Sequence, residues 1–177
     1  MAAPDMIAAG TVLDPQWWVK AAQGSVRRFC GWHVAPSFTE VLRCDGYGGR
    51  VLTLPSKHVT ELVRVVADGV DVTDRVGERW SESGTVELPR GYCWPDSPGS
   101  VRVTVTHGWP VDEVPEIAGL LATVAKRARS QPGVVQSQSV NGASVSYLVA
   151  GGAPLSVPLL EIEKAMLEPY RLTWGPQ

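Results

Sequence analysis

Three histidines, three cysteines and a few carboxylates are the residues of this chain that could ligate a metal, attack a substrate or carry a proton. His33, His58 and His107 are far apart in sequence, and their placement relative to Cys30, Cys44 and Cys93 does not make the paired spacing of a metal site. No metal or other cofactor is expected. The cysteines are odd in number and lack a C-x-x-C pair, which argues for reduced thiols over a disulfide framework or a structural zinc site. A nucleophile elbow, a G-x-x-x-x-G-K-[ST] phosphate loop and a strand–G-x-G-x-x-G–helix unit are all missing. The nearest mimic, Gly46-Tyr47-Gly48-Gly49, falls between two strands and reads as a hairpin turn.

Two carboxylate pairs could in principle do acid–base work. Glu113/Glu116 starts a helix, where acids favour the dipole, and Glu161/Glu163 lies at i, i+2, so its members point apart. Solvated helix faces explain both. Lys126, Arg127 and Arg129 crowd the end of a helix, where they complement its dipole and could also touch a phosphate backbone. No catalytic residue is identified, and a non-enzymatic protein is expected.

The elements that must position these residues change period along the chain. Asp14-Pro15 reads as an N-cap followed by proline at the first helical position. Trp18, Ala22, Val26 and Phe29 then form an apolar stripe that Gly31 stops. Between Pro36 and His107, the runs 38–43, 50–54, 59–66, 85–88 and 101–106 are rich in β-branched and aliphatic residues and are separated by turn signals, which predicts antiparallel sheet. The strand Val101–His107 puts three valines on one face and Arg102, Thr104 and Thr106 on the other. A helix follows, with Pro115 and Glu116 in its first turn and Ile117, Leu120, Leu121, Val124, Ala125 and Ala128 along one side. Gln131-Pro132-Gly133 ends it. Asn141-Gly142 centres a late hairpin within 134–147, and 150–154 reads as a linker. Pro158 opens a short helix with Leu159, Ile162 and Met166 on one face, and Pro169 closes it before a tail containing Tyr170 and Trp174.

Composition sets the bounds. The 177 residues suit one core with an elaboration, and 44% hydrophobic with 19% charged residues is globular. Sixteen basic and eighteen acidic residues give a net charge of -2, so no global field gathers nucleic acid. No stretch has the length of a membrane span or the pattern of a leader, so synthesis as a soluble cytoplasmic protein and no membrane partner are expected. Seven tryptophans hint at protein contacts.

Several strings, in this order, carry a resemblance. They are Cys30-Gly-Trp-His-Val-Ala-Pro-Ser37, Gly48-Gly-Arg-Val-Leu-Thr-Leu-Pro-Ser56, Thr106-His-Gly-Trp109 with Val114-Pro115, and Glu163-Lys-Ala-Met-Leu-Glu-Pro-Tyr-Arg-Leu172. Over about Asp14 to Leu172 the chain resembles the head-to-tail connector (adaptor) proteins of long-tailed bacteriophages, particularly those infecting actinobacteria. The resemblance implies a virion neck protein that forms a ring, commonly of twelve copies, beneath the portal protein. Such a ring extends the DNA channel toward a stopper and the tail, and genomic DNA passes through its lumen without being read.

The expected fold is α+β: a small bundle of three main helices with an inserted antiparallel β-rich subdomain and a late β-hairpin. The segments are an N-terminal helix (1–35), the insertion (36–107), the long helix and hairpin (108–149), and a linker, final helix and portal-binding tail (150–177). By carry-over, Ile162, Met166, Tyr170, Leu172 and Trp174 are portal-contact candidates. Three helices this small leave apolar stripes for neighbours to cover, which makes Ile117, Leu120, Leu121 and Val124 subunit-interface candidates. A stopper or tail-terminator subunit is the alternative from the same particle. A carbohydrate-binding module is the alternative from another class, with Trp80, Tyr92 and Trp94 as its aromatic platform.

Overall fold

The computed structural model describes residues 14–130 and 159–173, together with the backbone of four short strands between them. Its first helix, α1 (Pro15–Cys30), begins as the sequence indicates: the Asp14 carboxylate accepts the Trp17 N–H at 2.8 Å, and Gly31 closes the helix in the left-handed region at φ 80°.

Seven-residue strands β1 (Phe38–Cys44) and β6 (Val101–His107) pair antiparallel from Phe38↔His107 to Cys44↔Val101. β2 (Val51–Thr53), β3 (Val59–Ala67), β4 (Val70–Asp71) and β5 (Thr85–Glu87) complete two ladders, one ordered β1-β6-β3-β4 and the other β2-β5. A one-turn helix, α2 (Thr73–Val76), lies between β4 and β5. All five predicted strands form, while β4 and α2 have no counterpart in the sequence reading. Val101, Val103 and Val105 point inward from the central strand into a core with Leu52, Leu54, Val65, Val76, Val86 and Trp94. The opposite face is polar or exposed, as one-sided antiparallel sheets usually are. Register shifts between Val59 and Glu61 and between Leu62 and Arg64 blur the alternation of β3.

A second core is helical. The chain leaves α1, traverses the strands and returns through α3 (Pro115–Ser130), which packs against α1. Ala22, Val26 and Cys30 meet Ile117, Leu120, Val124 and Ala125, and Leu167 of α4 (Glu161–Leu167) completes the group. The fold is α+β, with mixed helices and antiparallel sheets. No helix among the described residues is long and apolar enough to cross a membrane.

Between α3 and α4, β7 (Ser137–Val140) and β8 (Ala143–Ser146) pair antiparallel with Val140 opposite Ala143, while the expected turn residues Asn141 and Gly142 lie outside the described residues. The stretch read as a linker holds a further two-residue ladder, β9 (Val149–Ala150) with β10 (Ala153–Pro154). The expected stop at 131–133 and the expected opening at Pro158 lie outside the described residues.

The solvated reading of Glu163 is overturned. Glu163 is 5% exposed rather than solvated, and it forms a two-pronged ion pair with Arg127 of α3, the second contact at 3.0 Å. Its Oε2 also accepts the Leu160 N–H at 2.8 Å, capping α4. The i, i+2 geometry does send the pair apart, with Glu161 outward to Lys164 and Glu163 inward to the bundle. Burial pushes the Glu163 carboxyl up, but hydrogen bonds from Arg127 and Leu160 and the guanidinium charge outweigh it and hold the group below the usual carboxylate range.

A depressed folded-state value adds stability above the unfolded value, and that stability is lost as pH falls through the folded one. Urea unfolding of the wild type should therefore weaken as pH drops below about 4.5, and part of that slope should vanish in Glu163→Gln. At neutral pH the same variant replaces the buried counter-charge of the guanidinium with a neutral amide and is expected to cost roughly 3 kcal/mol.

Candidate functional site

Where the two cores meet, the structure assembles residues that sequence keeps far apart. The pairing Phe38↔His107 returns β6 to the turn after α1, so Trp32, His33, Phe38 and His107 form one cluster. The two histidine rings are 4.4 Å apart and nearly perpendicular. His107, 1% exposed, contacts Glu40 Oε1 through Nε2 at 2.9 Å, while its Nδ1 is buried without a hydrogen-bond partner. Glu40 pairs with Val105, the inward neighbour of His107 on β6, which brings the carboxylate diagonally to the imidazole. Burial first, and then the adjacent His107, lower the pKa of His33. The expectation of isolated histidines thus fails for two of the three, because strand register supplies a proximity that sequence spacing does not contain.

The turn holding His33 is tightly fixed. Val34 sits at φ 63°, a conformation costly for a β-branched residue, and its carbonyl accepts the Trp109 N–H at 2.8 Å. Gly108, at φ 99°, lies so close that a Cβ there would meet His33 Nε2. On the other side His58 stacks on Trp109 with ring centres 3.8 Å apart.

The segment after α4 straps this seam. Trp32 Nε1 donates to the Tyr170 carbonyl at 2.7 Å, Lys57 Nζ to the Pro169 carbonyl at 2.7 Å, and the Leu172 N–H to the Cys30 carbonyl at 2.8 Å. The Tyr170 hydroxyl donates to Glu116, and burial together with that carboxylate raises its pKa to about 12. Beside the strap a groove of about 840 Å³ runs between the cores, lined by residues including Phe29, Tyr47, Val51 and Arg171.

Against this frame the sequence-derived candidates divide. Ile162 and Met166 project from α4 at 71% and 48% exposure. Tyr170 and Leu172 instead lie half-buried against the helical core, and Trp174 lies outside the described residues. Ile117, Leu120 and Val124 are buried within the chain itself, and Leu121 is half-buried, so α1 covers most of a stripe expected to need a neighbour. Lys126 and Arg129 are exposed on the last turns of α3, whereas Arg127 is held by Glu163. The aromatic platform does not form. Trp94 is buried and donates to the Arg50 carbonyl, Trp80 packs against the β core, and Tyr92 lies under the Arg75 guanidinium.

The sequence matches no family model and no curated protein. The fold does have solved counterparts. A chain from the neck of a native GTA particle, computed with C12 symmetry, aligns with a TM-score of 0.54 at 14% identity, over 92% of this chain and 86% of that one. A chain from the neck of an empty GTA particle, computed with C6 symmetry, aligns with a TM-score of 0.51 at 17% identity, over 96% and 85%. The shared fold spans both cores.

Replacing Gly108 with alanine should therefore cost roughly 2 kcal/mol or more, through left-handed strain and the collision with His33. Gly119→Ala, in open space on α3, should instead stabilise by about 0.5–1 kcal/mol. Thermal unfolding of the two variants side by side checks both signs.

Proposed function

We propose that this chain is a structural subunit of the neck of a phage-like particle, a head-to-tail connector of the adaptor type. The observation that carries the reading is the near full-length likeness to chains from GTA particle necks. The connector-like strings in the sequence add to it, and so does the exposed apolar face of α4. In this reading copies of the chain close into a ring, twelve by the connector resemblance, with segment 36–107 as a β-rich insertion on the helical core. A head-to-tail interface between identical wedges must close on itself to give such a ring.

The portal is the partner assigned to α4. Ile162 and Met166 stand clear of the core, and large exposed apolar side chains side by side on a helix are a common mark of a docking surface. Tyr170 and Leu172 contribute by fixing the strap that follows α4. Lys126 and Arg129 supply exposed positive charge near the end of α3, suited to passing a DNA backbone without reading bases. Tail-side proteins of the stopper type take the opposite face of the ring.

Light scattering of the purified protein, alone and mixed with portal rings, tests the assignment. A stable ring on the portal is expected. The double variant Ile162→Asp/Met166→Asp should weaken portal binding at least about a hundredfold while leaving the unfolding temperature nearly unchanged, since both residues face solvent. Full-affinity binding by the double variant would remove α4 as the docking face. Binding to tail-side proteins without binding to the portal would favour a stopper.

A further inference from the structure

The assembly role makes no use of the group His33, Glu40 and His107, and its chemistry is specific. One donor atom from each residue lies within 4.8 Å of the other two. A tetrahedral zinc ion with bonds near 2.0–2.1 Å needs donors about 3.3 Å apart. Two of the three, His107 Nε2 and Glu40 Oε1, are already at 2.9 Å. The third, from His33, lies within 4.8 Å of both, so zinc spacing needs its ring to approach them by up to about 1.5 Å. His33 and Glu40 are both partly exposed, which also leaves an entry path.

The His107 ring is almost wholly buried, which fixes its Nε2 beside Glu40 Oε1. Two imidazoles and a carboxylate suit borderline divalent ions such as zinc, in preference to magnesium or calcium, which favour oxygen-only shells.

We propose that His33, Glu40 and His107 form a zinc-class metal site, with three protein ligands and a water in the fourth position. The ligands come from the turn after α1, from β1 and from the end of β6, so the ion ties the helical core to the sheet at their seam. Its role is structural: it fixes the angle at which the two cores meet. The site rests on the geometry of a single chain and stands independently of the neck assignment.

The test uses the full chain, stripped with chelator and titrated with zinc chloride and, in parallel, cobalt chloride. One equivalent should bind, cobalt should develop the visible absorption of a four-coordinate site, and zinc should raise the unfolding temperature. His33→Ala and Glu40→Gln, whose partly exposed positions spare the core, should each weaken binding at least about tenfold. His58→Ala and Cys93→Ser remove other accessible donors and should leave affinity unchanged. Metal-free unfolding of each variant verifies that it folds. The proposal is overturned by the lack of saturable one-to-one binding, by binding that survives in both site variants, or by binding that depends on His58 or Cys93.

Discussion

Pairing Phe38 with His107 determines where the polypeptide leaves the helical core and where it comes back. Because β1 and β6 run antiparallel from that pair, the turn after α1 and the approach to α3 arrive side by side, and the two helices can bury their stripes against each other. The strand core depends on the same ladder, since its central valines belong to β6. One register therefore serves two hydrophobic clusters. A slip of one residue would turn Val101, Val103 and Val105 to solvent and carry His107 away from Trp32.

Polar groups at the seam and at the bundle end are costly to bury, and several are offset locally. Arg127 and Glu163 answer one another across α3 and α4, and Glu163 doubles as a cap, so removing either one takes away the other's buried counter-charge. The Trp32 indole and the Lys57 ammonium both end on backbone carbonyls of the C-terminal strap. These contacts are directional where the valine core is not, and they fix how the strap lies over the seam.

Much of this was legible from the residues. Asp14-Pro15 and Gly31 bounded α1 because caps are local chemistry, and the alternation of β6 was plain because one face is wholly buried. The same alternation, carried one step past Val105, puts His107 on the inward face. That signal was present, but nothing local indicated that His33 or Glu40 would meet it. The two bulges of β3 broke the two-residue period, and β4 was too short to register. Glu163 was misread because i, i+2 spacing says that two side chains diverge without saying which one turns inward. The apolar stripe of α3 was real, yet its partner proved to be α1 of the same chain, separated from it by the whole of the β region.

Leu172 closes the helical core by donating its N–H to the last carbonyl of α1, and Leu167 fills the gap between α1 and α3. During synthesis from the N-terminus, every strand of the β region emerges before these residues do. The sheet can thus be complete on the ribosome while Trp18, Phe29 and Ile117 still lack their full cover. Premature termination before α4 would leave a chain with a finished sheet and an open, adhesive helical half, a species for proteolysis rather than for assembly.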